Sequence, residues 1–325
     1  MKSVWYERFG SARDVLELGE MPDPVPEPGE VLVRLHASGV NPSDVKLRAG
    51  ARPGSVMAFP KITPHSDGAG QIVGVGTGVN KSRIGERVWI WNGQWKRPYG
   101  TAAELITIPQ AQAVELPPET SFAEGACLGI PAMTAWYATH GAMDLAGKTV
   151  LVTGGAGTVG RYACQMAALG GANVITTVSS AEKAAHSKAE NWINYKNDDV
   201  TNKVMDMTNG SGVDLIVDVD FGANQATNLE LIKESGVISA YASAADMTPM
   251  LEFYGFMFKN VTLRMLIAYL IPDHARRRGE AQINTWLSNG DLAHAVVNGG
   301  TLDTVANAHD QVMAGKKLGT VVVSI

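Results

Sequence analysis

Residues 150–160 read VLVTGGAGTVG, an apolar β-branched run that ends in a glycine-rich turn. Gly155, Gly157 and Gly160 stand there at the spacing G-x-G-x-x-G, and helix-forming residues follow from Arg161 to Leu169. A strand, a glycine turn and a helix in this order make an anion cradle. The helix start, at Thr158 and Val159, points backbone N–H groups at phosphate charge. Gly155 is assigned the tight turn, Gly157 the close approach of backbone to a pyrophosphate, and Gly160 the packing of helix on strand. The chemistry implied is binding of a dinucleotide.

A second set of polar residues decides which dinucleotide. A site that prefers an unphosphorylated ribose places Asp or Glu at the end of the next strand, on the 2′-hydroxyl. Here no acidic residue occurs between Gly160 and Glu182. That strand ends in Ser179 and Ser180, and Lys183 follows. Hydroxyls and an ammonium attract a 2′-phosphate through charge-assisted hydrogen bonds, so NADPH is expected over NADH. Ser180 also reads as a helix N-cap and Lys183 as a first-turn residue, and both roles are compatible with phosphate binding.

The elements that must hold these residues follow from periodicity. The first ~120 residues are turn-rich and strand-rich. Strands are expected at Val31–Ala37, Gly68–Gly76 and Arg87–Trp91. Ser121 and Glu124 form a capping-box pattern for a helix. From about residue 148, strands at 149–153, 173–178, 192–195, 213–219, 235–241 and 261–267 alternate with helices near 158–170, 181–188, 198–208 and 224–234. That alternation predicts a parallel sheet covered by helices. Pro272 opens a further helix, and the tail from Leu318 to Ile325 reads as a strand that pairs back into the first region.

Composition narrows the function. The net charge of −5 argues against a polyanionic partner such as nucleic acid. The run Arg276-Arg277-Arg278 reads as a solvated helix face rather than a binding patch. Cys127 and Cys164, isolated among small and apolar residues, read as buried hydrophobes and fit a reducing cytoplasm. The first residues lack a signal-peptide core, and the longest apolar run, Met265 to Ile271, is too short to span a bilayer.

The chain resembles the medium-chain dehydrogenase/reductase superfamily, and within it the zinc-independent quinone oxidoreductases, the zeta-crystallin-like proteins. The matching stretches are GVNPSD (39–44), PHSDGAG (64–70), GERV (85–88), GTAAE (100–104), IPAMTA (130–135), the glycine turn, Ser179-Ser180 with Lys183, and INY (193–195). The resemblance implies an α/β fold with a GroES-like β-barrel catalytic domain, residues 1–122 plus 290–325. Between these would lie a Rossmann dinucleotide-binding domain, residues 123–289. It implies that Ser180, Lys183 and Tyr195 gather at the 2′-phosphate, that Asn41 and Thr134 lie near the nicotinamide, and that the protein is a homodimer. The apolar stretch 250–267 is a candidate for the subunit contact or for ordinary core.

Zinc-dependent members of the superfamily carry cysteine where this chain has Asn41 and histidine where it has Ser66. Two cysteines cannot supply their four-cysteine lobe either, so no metal is expected. His65, one position from the expected ligand, is read as shaping the cleft. Without zinc, the reaction suits acceptors that spread negative charge by conjugation, namely quinones and α,β-unsaturated carbonyls. Asn41 is then the candidate amide donor, Asp44 a positioning carboxylate or a helix cap, and Thr134 a hydroxyl donor. Tyr241 is expected at the nicotinamide edge, and Trp95 as an exposed lip over the substrate. Two other readings stand beside this one: a non-catalytic NADPH-binding or redox-sensing protein, and an enoyl-thioester reductase.

Overall fold

The computed structural model describes residues 1–51 and 54–325. The chain divides into two compact units, one formed by Met1–Ile130 with Glu280–Ile325 and the other by Pro131–Gly279.

The second unit carries the predicted alternation. Its strands, in chain order, are Thr149–Val152, Asn173–Val178, Asn191–Asn194, Val213–Asp218, Ile232–Ala240 and Thr262–Met265. All pair in parallel, and their spatial order is 3-2-1-4-5-6. This is the doubly wound order, with its topological switch between the first and fourth strands, where such sheets bind ligands at their carboxyl ends. The register places Ile175, Leu151, Ile216, Ile238 and Leu263 in one row across five strands. The first four of these are fully buried, and each contributes about 1.5–3 kcal/mol through burial of its side chain. The helices between strands include Thr158–Leu169, Ala181–Ser187, Val200–Met207 and Phe221–Leu231. The last begins and ends earlier than the sequence pattern suggested. Residues 232–234, assigned there to the helix, already belong to the next strand.

The first unit is built on the long strand Glu30–Val40. Its first half pairs antiparallel with Leu105–Pro109 and its second half with the tail strand Thr320–Ser324. On its other side it pairs with Asp67–Val75. The tail therefore joins the first sheet, as its strand-like sequence predicts, with Val321 opposite Val40. Val33, Ile72, Ile106 and Ile108 fill the interior of this sheet. Ser121 and Glu124 do form a capping box: the serine hydroxyl accepts the Glu124 N–H, and the Glu124 carboxylate accepts the Ser121 N–H.

Two surface expectations are corrected. Arg276 is buried, not solvated, because its stem reaches inward from the Asp273–Asn289 helix and its guanidinium donates to the Ala268 carbonyl; Arg277 and Arg278 stay exposed. Trp95 is half-buried, so it is not the exposed lip expected of it. Cys127 and Cys164 are free and fully buried, and burial raises both thiols to about 12. No helix among the described residues is long and apolar enough to cross a membrane.

Candidate functional site

The glycine turn joins the Thr149–Val152 strand to the Thr158–Leu169 helix. Its left-handed residue is Gly154, at φ +67°, and not Gly155 as the spacing suggested. Gly155 is required for a different reason. A Cβ there would lie 2.0 Å from Thr176 Oγ1, on the adjacent strand. Gly160 is equally constrained, since its Cβ would lie 2.4 Å from the Gly154 carbonyl oxygen. These two positions press the helix start onto the strand ends, closer than any side chain permits. Gly157 is the N-cap and brings no side chain to cap the helix. A cap without a side chain lets an external anion approach the first turn at Thr158 and Val159. The Gly154 N–H donates to Thr177 Oγ1 and the Gly155 N–H to the Thr177 carbonyl, which ties the turn to the second strand.

That second strand ends at the predicted polar group. Lys183 Nζ donates to Ser179 Oγ at 2.9 Å, and Ser180 Oγ accepts the Lys183 N–H as the N-cap of Ala181–Ser187. The capping role of Ser180 and its place beside the lysine coexist. Tyr195 donates its N–H to the Val178 carbonyl and leaves its ring exposed. The structure therefore brings Ser179, Ser180, Lys183 and Tyr195 together at the carboxyl ends of neighbouring strands. The glycine cradle and a strand end that carries hydroxyls and a lysine in place of an acidic residue fit a dinucleotide with a phosphorylated ribose.

Tyr241 follows the Ile232–Ala240 strand and is half-buried; burial first, then the Asp218 charge, raises its phenol above the usual range. Its N–H donates to the Asp218 carbonyl. Asp218, which sequence reasoning passed over, is the hub of this end of the sheet. Its carboxylate accepts from Thr153 Oγ1 (2.9 Å), Asn224 Nδ2 (2.7 Å), Asn228 Nδ2 (2.5 Å) and the Asp220 N–H (3.0 Å). Thr134 is buried in the short helix Met133–Ala138, which follows a π-helical turn containing Pro131.

In the first unit, Asn41 ends the Glu30–Val40 strand and caps the helix Pro42–Arg48. Of the two roles left open for Asp44, the helix cap is realised: its carboxylate accepts the Asn41 N–H at 2.8 Å. The Asn41 amide donates to Asp67 Oδ2 at 2.8 Å, and the same oxygen accepts the Ile130 N–H at 2.9 Å. Asp67 is fully buried. The motif SDG (66–68) was visible in the sequence, but nothing in it reported that Asp67 holds Asn41. Next to it, His65 is fully buried at φ +77°, bonded through Nδ1 to Ser38 and through Nε2 to His309. Burial lowers the His65 imidazole to about 3. No cluster of three or more His, Cys, Asp or Glu side chains suited to a metal occurs among the described residues.

Residues 27–118 match the alcohol dehydrogenase GroES-like domain family, and residues 158–281 match the zinc-binding dehydrogenase family. The quinone oxidoreductase of Rattus norvegicus is 33% identical over 241 residues, 73% of this chain and 71% of the relative. That of Homo sapiens is 27% identical over 97% of this chain and 94% of its own. Among solved structures, a quinone oxidoreductase of Pseudomonas syringae superposes with TM-score 0.86 at 26% identity, covering 100% of this chain and 99% of that one. A mycobacterial protein solved in complex with NADPH superposes with TM-score 0.85 at 25% identity over the full length of both chains.

Proposed function

The chain belongs to the quinone oxidoreductase family of medium-chain dehydrogenases/reductases, and on that premise we propose that it reduces quinones or other α,β-unsaturated carbonyls with NADPH. The observation that carries this reading is the rim at Ser179, Ser180 and Lys183, where two hydroxyls and an ammonium stand at the strand end in place of an acidic residue. When bound, NADPH supplies the hydride. The chain's own residues bind and orient. Gly155, Gly157 and Gly160 admit the pyrophosphate to the first turn at Thr158 and Val159. Ser180, Lys183 and the exposed Tyr195 take the 2′-phosphate. Tyr241 and Thr134 border the nicotinamide end. Asn41, whose amide donates to Asp67, is the residue we assign as hydrogen-bond donor to the acceptor's carbonyl oxygen as charge builds there. Conjugation spreads that charge, so hydrogen bonding and orientation are enough.

We read the reaction as zinc-independent, because the donors at the two ligand positions are an amide and a hydroxyl and the amide is committed to Asp67. The reading also includes a cytoplasmic homodimer. Free, buried cysteines fit the reducing compartment. The strand Thr262–Met265 ends its sheet, with one edge unpaired among the described residues, and Phe258 and Met265 are 78% and 75% exposed. Such an apolar edge is expected to pair with a second copy. Light scattering on the purified protein tests this, and a monomer at micromolar concentration contradicts it.

The functional test measures oxidation of NADPH and NADH with paired quinone and alkenal panels. Turnover with either panel, at least about tenfold better with NADPH, is expected. Stoichiometric NADPH binding without turnover would favour a binding protein instead. Activity lost to a chelator and restored by Zn²⁺ would overturn the metal-free reading.

A further inference from the structure

Four side chains in the first unit form one continuous hydrogen-bonded line. Thr101 Oγ1 donates to the Asp67 carbonyl at 2.6 Å, and Ser38 Oγ lies 2.8 Å from Thr101 Oγ1. His65 Nδ1 lies 2.8 Å from Ser38 Oγ, and His309 Nε2 lies 2.8 Å from His65 Nε2. All four are buried.

Counting protons gives this line a single direction. A hydroxyl has one proton to donate. Thr101 uses its own on Asp67, so it accepts from Ser38. Ser38 has then used its proton, so it accepts from His65 Nδ1. A neutral imidazole carries one N–H, so His65 Nε2 is bare and accepts from His309 Nε2. Both rings are neutral: burial holds His65 far below its usual range, and burial, His65 and the Arg48 cation do the same for His309. His309 Nδ1, buried and without a hydrogen-bond partner, is the acceptor end at which the line begins.

We propose that His65 and His309 are positioning residues: their one-way line fixes the Asp67 backbone, so that the Asp67 carboxylate holds the Asn41 amide in its working orientation. The line ends on the peptide whose side chain grips Asn41 and the Ile130 N–H. The line also holds His65 at its left-handed backbone position, φ +77°, an uncommon conformation for a residue with a side chain. The effect on turnover rests on the role proposed for Asn41; the tautomers do not.

The first test is therefore spectroscopic. Two-bond ¹H–¹⁵N correlation of histidine-labelled protein should show His65 protonated at Nδ1 and His309 at Nε2 near neutral pH. The opposite tautomer of either ring, or an imidazolium, overturns the proposal even if the enzyme turns over. The second test is kinetic. His65→Gly should lower kcat with a quinone about tenfold, short of the roughly hundredfold that a full 1 Å misplacement costs, with NADPH affinity unchanged. His65→Asn tolerates the left-handed backbone and keeps a donor near the Nδ1 position, so it should recover most of the loss. Equal losses in both variants, or a kcat loss matched by weaker NADPH binding, overturn the proposal. Should His65→Gly fail to fold, His309→Gln against His309→Leu makes the same comparison. The glutamine amide keeps the donor and should retain more activity, and equal activity of the two overturns the line. Wild-type protein with the expected tautomers but no quinone or enone turnover would sink the proposed function and leave the line standing.

Discussion

The two polar assemblies of this protein are built by opposite means. The dinucleotide turn works through what is missing: no Cβ at Gly155 or Gly160, no side-chain cap at Gly157, no carboxylate at the end of the second strand. The Asn41–Asp67 assembly works through what is present, a set of side chains that use one another as partners. The first is local in sequence. The second joins residues 26, 63 and 244 positions apart. A missing atom can be supplied by one substitution, whereas a network degrades by degrees.

The largest effect is accordingly expected at the turn. In Gly160→Val the new Cβ meets the Gly154 carbonyl, at 2.4 Å, and the Gly155 Cα, at 2.8 Å, neither of which can rotate away. Calorimetry should find NADPH binding weakened by at least about a hundredfold, the scale of overpacking against backbone. Wild-type affinity would show that the contact relaxes and that the turn is less tightly determined than the other assembly. Asp67→Ala comes next. It leaves the Asn41 amide and the Ile130 N–H without their acceptor, at a cost of roughly 2–4 kcal/mol in stability. Denaturant unfolding reads this, and kcat should fall while NADPH binding holds. Asp67→Asn keeps an acceptor oxygen and should lie between.

The same contrast explains what could be read in advance. The glycine spacing, the Ser180 cap, the Ser121–Glu124 box and the parallel strands all arise from residues within a few positions of one another, where periodicity and turn chemistry act. The turn residue itself was misplaced by one, because spacing reports that a position must be small and not whether φ or a neighbour demands it. Gly154 answers to φ and Gly155 to Thr176. Arg276 was misread because three adjacent arginines look solvated until the Ala268 carbonyl is known to lie within reach. His65 and His309 have no sequence relation at all. Their pairing follows from the tail region folding back into the first unit.

A substitution at the rim separates two functions of one side chain. Ser180 caps a helix and faces the proposed 2′-phosphate. Aspartate caps about as well as serine, so Ser180→Asp should unfold within about 0.5 kcal/mol of wild type. It also sets a carboxylate against the phosphate, and NADPH affinity should fall about thirtyfold while NADH affinity holds. An unchanged preference would mean that the phosphate does not sit on this rim. The comparison would then lose its claim that absence of charge defines the first assembly.

Acid should distinguish the two assemblies by slope. The glycine turn titrates nothing of its own. His65 is held neutral in the folded protein down to about pH 3 but binds a proton near 6.5 when unfolded. Between those values the unfolded chain carries the extra proton, so stability falls as pH falls. The histidine's contribution is intact above about 6.5, declines through the window, and changes no further below about 3. One proton corresponds to about 1.4 kcal/mol per pH unit. Stability measured across the window should therefore show His65→Asn with a shallower acid dependence than wild type by up to that amount, and Ser180→Asp should not reproduce the change. Parallel curves for wild type and His65→Asn would mean that His65 protonates in place, which a buried ring accepting from His309 has no room to do without breaking the line that holds Asp67.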